Sequence, residues 1–188
     1  MASPVEWKET LIQAGGVKVC LRRAGKGRPL LILHHDSGSL PRLPFYDGLA
    51  AAFDVLMPHH PGSGDAYERP TWMRSVRDLA VLYRGILAGL AIERPILVGL
   101  GFGGWIAAEM ATMAPNDLDR LVLVGAMGVH PREGYILDQA LISHIDYARA
   151  AFHDQAAFDA VYGAEPTTDQ LVDWDICREM SFRIACTA

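Results

Sequence analysis

The chain has 188 residues, 51% apolar and 21% charged, which suits a single ordered domain with a real core and excludes an intrinsically disordered protein. Its net charge of −5, with Lys and Arg scattered, offers no basic block for nucleic acid or an anionic membrane. The opening residues lack a secretory layout and no apolar run approaches the roughly 20 residues of a membrane span, so a cytoplasmic protein is expected.

Two alternating segments, Lys8–Gln13 and Val17–Arg22, flank Ala14-Gly15-Gly16 and predict an antiparallel hairpin. Pro29–Leu33 is a continuous apolar run of the kind buried inside a parallel sheet. A short helix around Phe45–Phe53 and a strand Asp54–Met57 follow. Trp72–Leu90 predicts an amphipathic helix, with Val76, Leu79, Ala80, Tyr83, Ile86, Leu87 and Leu90 at spacings of three and four. Strand Pro95–Val98, helix Trp105–Ala114 and strand Leu121–Val124 complete an α/β alternation, which implies a mostly parallel sheet with helices on both faces. Trp105, Met110 and Met113 fall at core spacing in that helix. Beyond Val129 the character changes. Tyr135–Phe152 and Asp154–Tyr162 predict helices, and Thr167-x-x-Gln170 is a capping box opening a third through Trp174, Cys177 and Met180.

Three loops fall at the carboxyl ends of parallel strands, where open α/β sheets place their sites. They are His34-His35-Asp36-Ser37-Gly38, His59-His60-Pro61-Gly62-Ser63-Gly64 and Gly99-Leu100-Gly101-Phe102-Gly103. The set resembles the α/β-hydrolase superfamily. The first loop is similar to H-G-x-x-G with His35 in the glycine's place. The second is similar to D-x-x-G-x-G-x-S with His59 for the aspartate and Ala66 for the serine. The third is similar to the G-x-S-x-G nucleophile elbow, a serine on a sharp strand-to-helix turn, but its central residue is Gly101.

That resemblance implies a six-stranded core over 1–128 and a helical lid over 129–188, a truncated α/β-hydrolase fold. It also implies an oxyanion hole made by the backbone N–H groups of Phe102 and Asp36, where a tetrahedral acyl intermediate would place its negative charge. His34, His35, Ser37, Gly38, His59, Gly99, Leu100 and Gly103 would line the loops around it. Relatives in the family hydrolyse small hydrophobic substrates of ester or amide type. Here Gly101 supplies no nucleophile, and no histidine follows the lid region to complete a triad. The expectation is therefore a degenerate or incomplete hydrolase, or else a non-catalytic protein that keeps the pocket for a small hydrophobic ligand or acts through interactions. Gly101→Ser is expected to cost a little stability, because an elbow strains any residue that carries a side chain.

Other chemistries are weaker in the residues. Gly99, Gly101 and Gly104 also satisfy G-x-G-x-x-G, the dinucleotide fingerprint, but the motif stands far from the first βα turn and the next strand ends in Val124-Gly125-Ala126 without an acid. His34, His35, Asp36, His59 and His60 could gather imidazoles for a metal. The competing expectation has His34 and His59 fixing loop backbones, His60 facing water, and neither metal nor cofactor bound. Cys20, Cys177 and Cys186 show no CxxC or zinc spacing. An apolar sixth strand at the sheet edge predicts a homo-oligomer, either a plain dimer or a swapped arrangement, or else a chain that is only part of a larger polypeptide.

Overall fold

In the computed structural model, residues 5–38, 43–62, 70–139, 141–163 and 165–185 are described. Strands β1 (Lys8–Ala14) and β2 (Val17–Ala24) form the expected hairpin, paired from Ala14–Val17 out to Lys8–Arg23. They are followed by β3 (Arg28–Leu33), α1 (Pro44–Ala50), β4 (Phe53–Pro58), α2 (Val76–Gly89), β5 (Ile96–Leu100), α3 (Phe102–Met113) and β6 (Arg120–Val124). One six-stranded sheet results, in the order β1-β2-β4-β3-β5-β6. The hairpin joins β4 antiparallel, and β4, β3, β5 and β6 run parallel.

The continuous apolar runs of β3 and β5 follow from burial on both faces. Successive side chains of a strand point to opposite sides. Leu31, Leu33, Leu56 and Leu97 therefore meet α2 and α3, while Leu30, Ile32, Val55, Met57, Ile96 and Val98 meet Tyr46 and Ala50 of α1. The short α1 is further fixed by Trp7, whose indole Nε1 donates to Asp47 at 2.8 Å.

The helix α2 begins at Val76 and not at Trp72, because Ser75 and Asp78 form a capping box. Asp78 N–H donates to Ser75 Oγ at 3.2 Å, and the N–H groups of Arg74 and Ser75 both donate to Asp78 Oδ2 at 2.9 Å. Trp72 lies in the preceding turn, 45% exposed. Ser75→Ala is expected to lower unfolding stability by about 1 kcal/mol, measured by urea denaturation. An unchanged midpoint would remove the cap from the account.

After β6 the chain forms α4 (His144–Ala150), α5 (Gln155–Tyr162) and α6 (Thr168–Ala185). The expected helix over Tyr135–Phe152 is corrected to α4 alone. Tyr135, Ile136 and Leu141 are 85%, 62% and 81% exposed, so the segment has no face to bury, and Ser143 caps α4 by accepting from Asp146 N–H at 3.2 Å. Asp154 caps α5, and the Thr167–Gln170 box opens α6 as its spacing predicts. Ala148, Phe158 and Trp174 make a small core of their own, while Met180 and Ile184 of α6 insert into the main core. No described helix is long and apolar enough to cross a membrane. Every residue of β6 is exposed, with Leu121, Val122, Leu123 and Val124 between 39% and 49% accessible.

Candidate active site

Because β4, β3 and β5 are neighbours and run parallel, the loops after them converge at one end of the sheet. The third of these makes the sharpest turn. Gly101 holds φ 54° and ψ −117°, a conformation that L side chains resist, and it is the N-cap of α3. Its N–H donates to Val124 O, and its carbonyl accepts from Gly104 and Met127 N–H, each at 3.0 Å. The elbow is thus clamped to the end of β6. Gly103 lets α3 press on β3: its N–H donates to His34 O at 3.0 Å, and a Cβ there would overlap the Leu33 and His34 carbonyls. Phe102, at the first helical position, has no intrahelical acceptor for its N–H, which stands at the positive end of the α3 dipole.

The first loop approaches from the other side. Gly38 N–H donates to His35 O at 3.2 Å, closing a tight turn over Asp36 and Ser37. The side chain of His35, half-buried, lies directly on Gly101: a Cβ at 101 would overlap its Nδ1. Burial lowers the His35 pKa, opposed by the charge of Asp36, so the ring is neutral at pH 7.

Beneath this surface His34 and His60 are fully committed. His60 N–H donates to His34 Nε2 at 3.0 Å, so the His34 proton is on Nδ1, which donates to His35 O at 2.7 Å. His60 Nε2 donates to His34 O at 3.0 Å, leaving Nδ1 to accept from the Tyr83 hydroxyl at 2.5 Å. Burial pushes the Tyr83 pKa well up, keeping that donor protonated. Burial also lowers both histidines, His60 to about 4 and His34 well below its ordinary value, with the charge repulsion of neighbouring imidazoles adding to it for His34. Each ring nitrogen of the pair already has a hydrogen-bonding role, so neither ring offers a lone pair to a metal. The expectation that His60 faces water is corrected. It is His60 that is completely buried, while His59 is half-buried, its N–H donating to Cys20 O at 2.8 Å.

Gly99 passes under α3, where a Cβ would overlap Gly103, Gly104 and Ala107. Leu100 closes β5 and packs in the α1-side core. Ser63, Gly64 and Ala66 lie outside the described residues. Asp36 is buried, and with Ser37, Gln139, His144, Tyr147, Trp174 and Arg178 it lines a small cavity between the first loop and the C-terminal helices. Burial first, then the nearby Asp36 carboxylate, raise the pKa of Tyr147. Tyr83, Gln139, Tyr147 and Arg178 carried no sequence signal of a role here; Tyr83 read only as a core position of α2.

The family model for the alpha/beta hydrolase fold matches residues 29–182. The 2-hydroxymuconate semialdehyde hydrolase of Pseudomonas sp. (strain CF600) is 36% identical over 126 residues, covering 63% of this chain and 43% of its own length. The 2-hydroxy-6-oxo-2,4-heptadienoate hydrolase of Pseudomonas putida F1 is 28% identical over 169 residues, covering 86% of this chain and 52% of that one. Among solved structures, the N-acyl homoserine lactonase AidH complexed with N-butanoyl homoserine superposes with a TM-score of 0.66 at 20% identity, covering 95% of this chain and 67% of the other. Across its curated relatives, the chain spans from 33% to 52% of their length.

Proposed function

Since this chain belongs to the α/β-hydrolase fold family, we propose that it binds small apolar carbonyl compounds at the Gly101 elbow without forming an acyl-enzyme on residue 101. One observation carries this: Gly101 has no nucleophile, yet the turn still leads into α3 with Phe102 at its first position, where the backbone N–H has no intrahelical acceptor. Main-chain donors at a helix N-terminus stabilise charge on a carbonyl oxygen whatever side chain occupies the elbow. Two curated relatives are named as hydrolases of a semialdehyde and of an oxo-dienoate, both carbonyl compounds, which supports the ligand class. The test is a titration of ¹⁵N-labelled protein with a short-chain trifluoromethyl ketone. The Phe102 amide proton is expected to move downfield saturably; no response at Phe102 or Asp36 at saturating ketone would overturn the binding function.

We further infer that β6 pairs with a second copy of the chain. Its exposed Leu121–Val124 run supports this, since an unpaired apolar edge templates strand addition. Light scattering is expected to give a dimer, and Val122→Lys to shift it toward monomer. A monomeric unmodified protein at high concentration would refute the pairing.

A further inference from the structure

Around the elbow, the imidazole of His35 stands apart from its histidine neighbours among the described residues. The nitrogens of His34 and His60 are consumed by each other, by backbone carbonyls and by Tyr83. His35 is different. Neither of its ring nitrogens is hydrogen-bonded to any described residue, the residue is half-buried, and Nδ1 stands in the place that the side chain of residue 101 would occupy. Phe102, the residue after Gly101, opens α3 with its N–H lacking an intrahelical acceptor.

We propose that His35 is a catalytic nucleophile, its Nδ1 attacking ester carbonyls held against the Phe102 N–H. This deepens the carbonyl-binding function above and rests on it. In the Nε2–H tautomer, the Nδ1 lone pair forms a bond to the carbonyl carbon, and the π pair moves onto the oxygen, which accepts from Phe102 N–H. Collapse of that intermediate breaks the bond to the leaving alkoxide or phenolate, and the acyl-imidazolium releases its Nε2 proton to solvent. Water then adds to the acyl carbon, the carbon–nitrogen bond breaks, and the imidazole is regenerated with the carboxylic acid. The sum is ester plus water giving acid plus alcohol. Burial keeps the ring unprotonated at neutral pH, so the attacking lone pair is available without a partner acid. No carboxylate among the described residues hydrogen-bonds the His35 ring, which confines the reaction to esters with good leaving groups.

The experiment treats the full chain with p-nitrophenyl acetate and follows p-nitrophenolate release and the mass of the His35 peptide. Expected are release above the buffer background, one acetyl group on that peptide removable by hydroxylamine, and a rate already flat with pH at neutrality because His35 titrates below its ordinary value. His35→Gln is expected to lose both the rate and the acetyl label while the Phe102 amide still responds to the trifluoromethyl ketone. Should the variant fail to fold, the acetyl label on the unmodified protein decides the matter. Ketone binding at Phe102 without acetylation of His35 overturns the nucleophile and leaves the binding function standing. A silent Phe102 amide overturns both.

Discussion

Gly101→Ser is expected to lower unfolding stability by about 2–6 kcal/mol, and His35→Gly to relieve part of that loss when the two are combined. Two costs add at position 101. At φ 54° and ψ −117° a side chain is strained by roughly 1–3 kcal/mol. Its Cβ would also overlap Nδ1 of His35, and forcing extra atoms into an occupied site costs about 1–3 kcal/mol more. Removing the imidazole abolishes the second cost and leaves the first. Urea denaturation of the four proteins in the cycle should therefore show a coupling of about 0.5–3 kcal/mol between positions 35 and 101. Strict additivity would mean that the ring moves aside freely, and the steric link between the two loops would be lost. The effect exceeds the small penalty of backbone strain alone because the fold places the His35 ring on Gly101.

That coupling shows what a chain of residues can and cannot announce. The strands β3, β5 and β6 were legible because burial on both faces, or continuation of a buried sheet, writes itself as an apolar run. The capping box at Thr167 is legible as short-range chemistry, whereas the one at Ser75 goes unread and the expected helix starts too early, at Trp72. Tyr135–Ser143 failed for the opposite reason: its apolar residues have helical spacing but nothing to pack against. The site divides similarly. Glycines 99, 101 and 103 could be read as a turn, since their need is local backbone geometry. His35 on Gly101 could not, because it joins loops separated by the whole β4–α2–β5 stretch. For His59 and His60 the adjacent pair hides which ring turns inward, and only the contact with Tyr83 on α2 fixes the phase. The two departures at His35 and Gly101, separate in the sequence, are one steric arrangement in the fold.

Stability should fall steeply as pH drops below about 6.5, through the same buried histidines. Both His34 and His60 have folded pKa values below the unfolded value of about 6.5, His60 at about 4. Above pH 6.5 both are neutral in either state and their hydrogen bonds contribute fully. As pH falls from there, the unfolded chain takes up protons that the folded chain refuses, so unfolding is favoured. Each histidine then adds a slope approaching 1.4 kcal/mol per pH unit. The share of His60 stops growing near pH 4, where the folded protein protonates it too and loses the bond accepted from Tyr83. Urea midpoints between pH 7 and pH 4.5 test this. His60→Gln is expected to be less stable than the unmodified protein at pH 7, because the contacts to Tyr83 and His34 are weakened, yet to show a pH slope shallower by about one proton. Carboxylates that titrate in the same range contribute equally to both proteins and cancel in the difference. Equal slopes would show that His60 is protonated in the folded state as readily as in the unfolded chain, which its complete burial between His34, Tyr83 and Phe102 argues against.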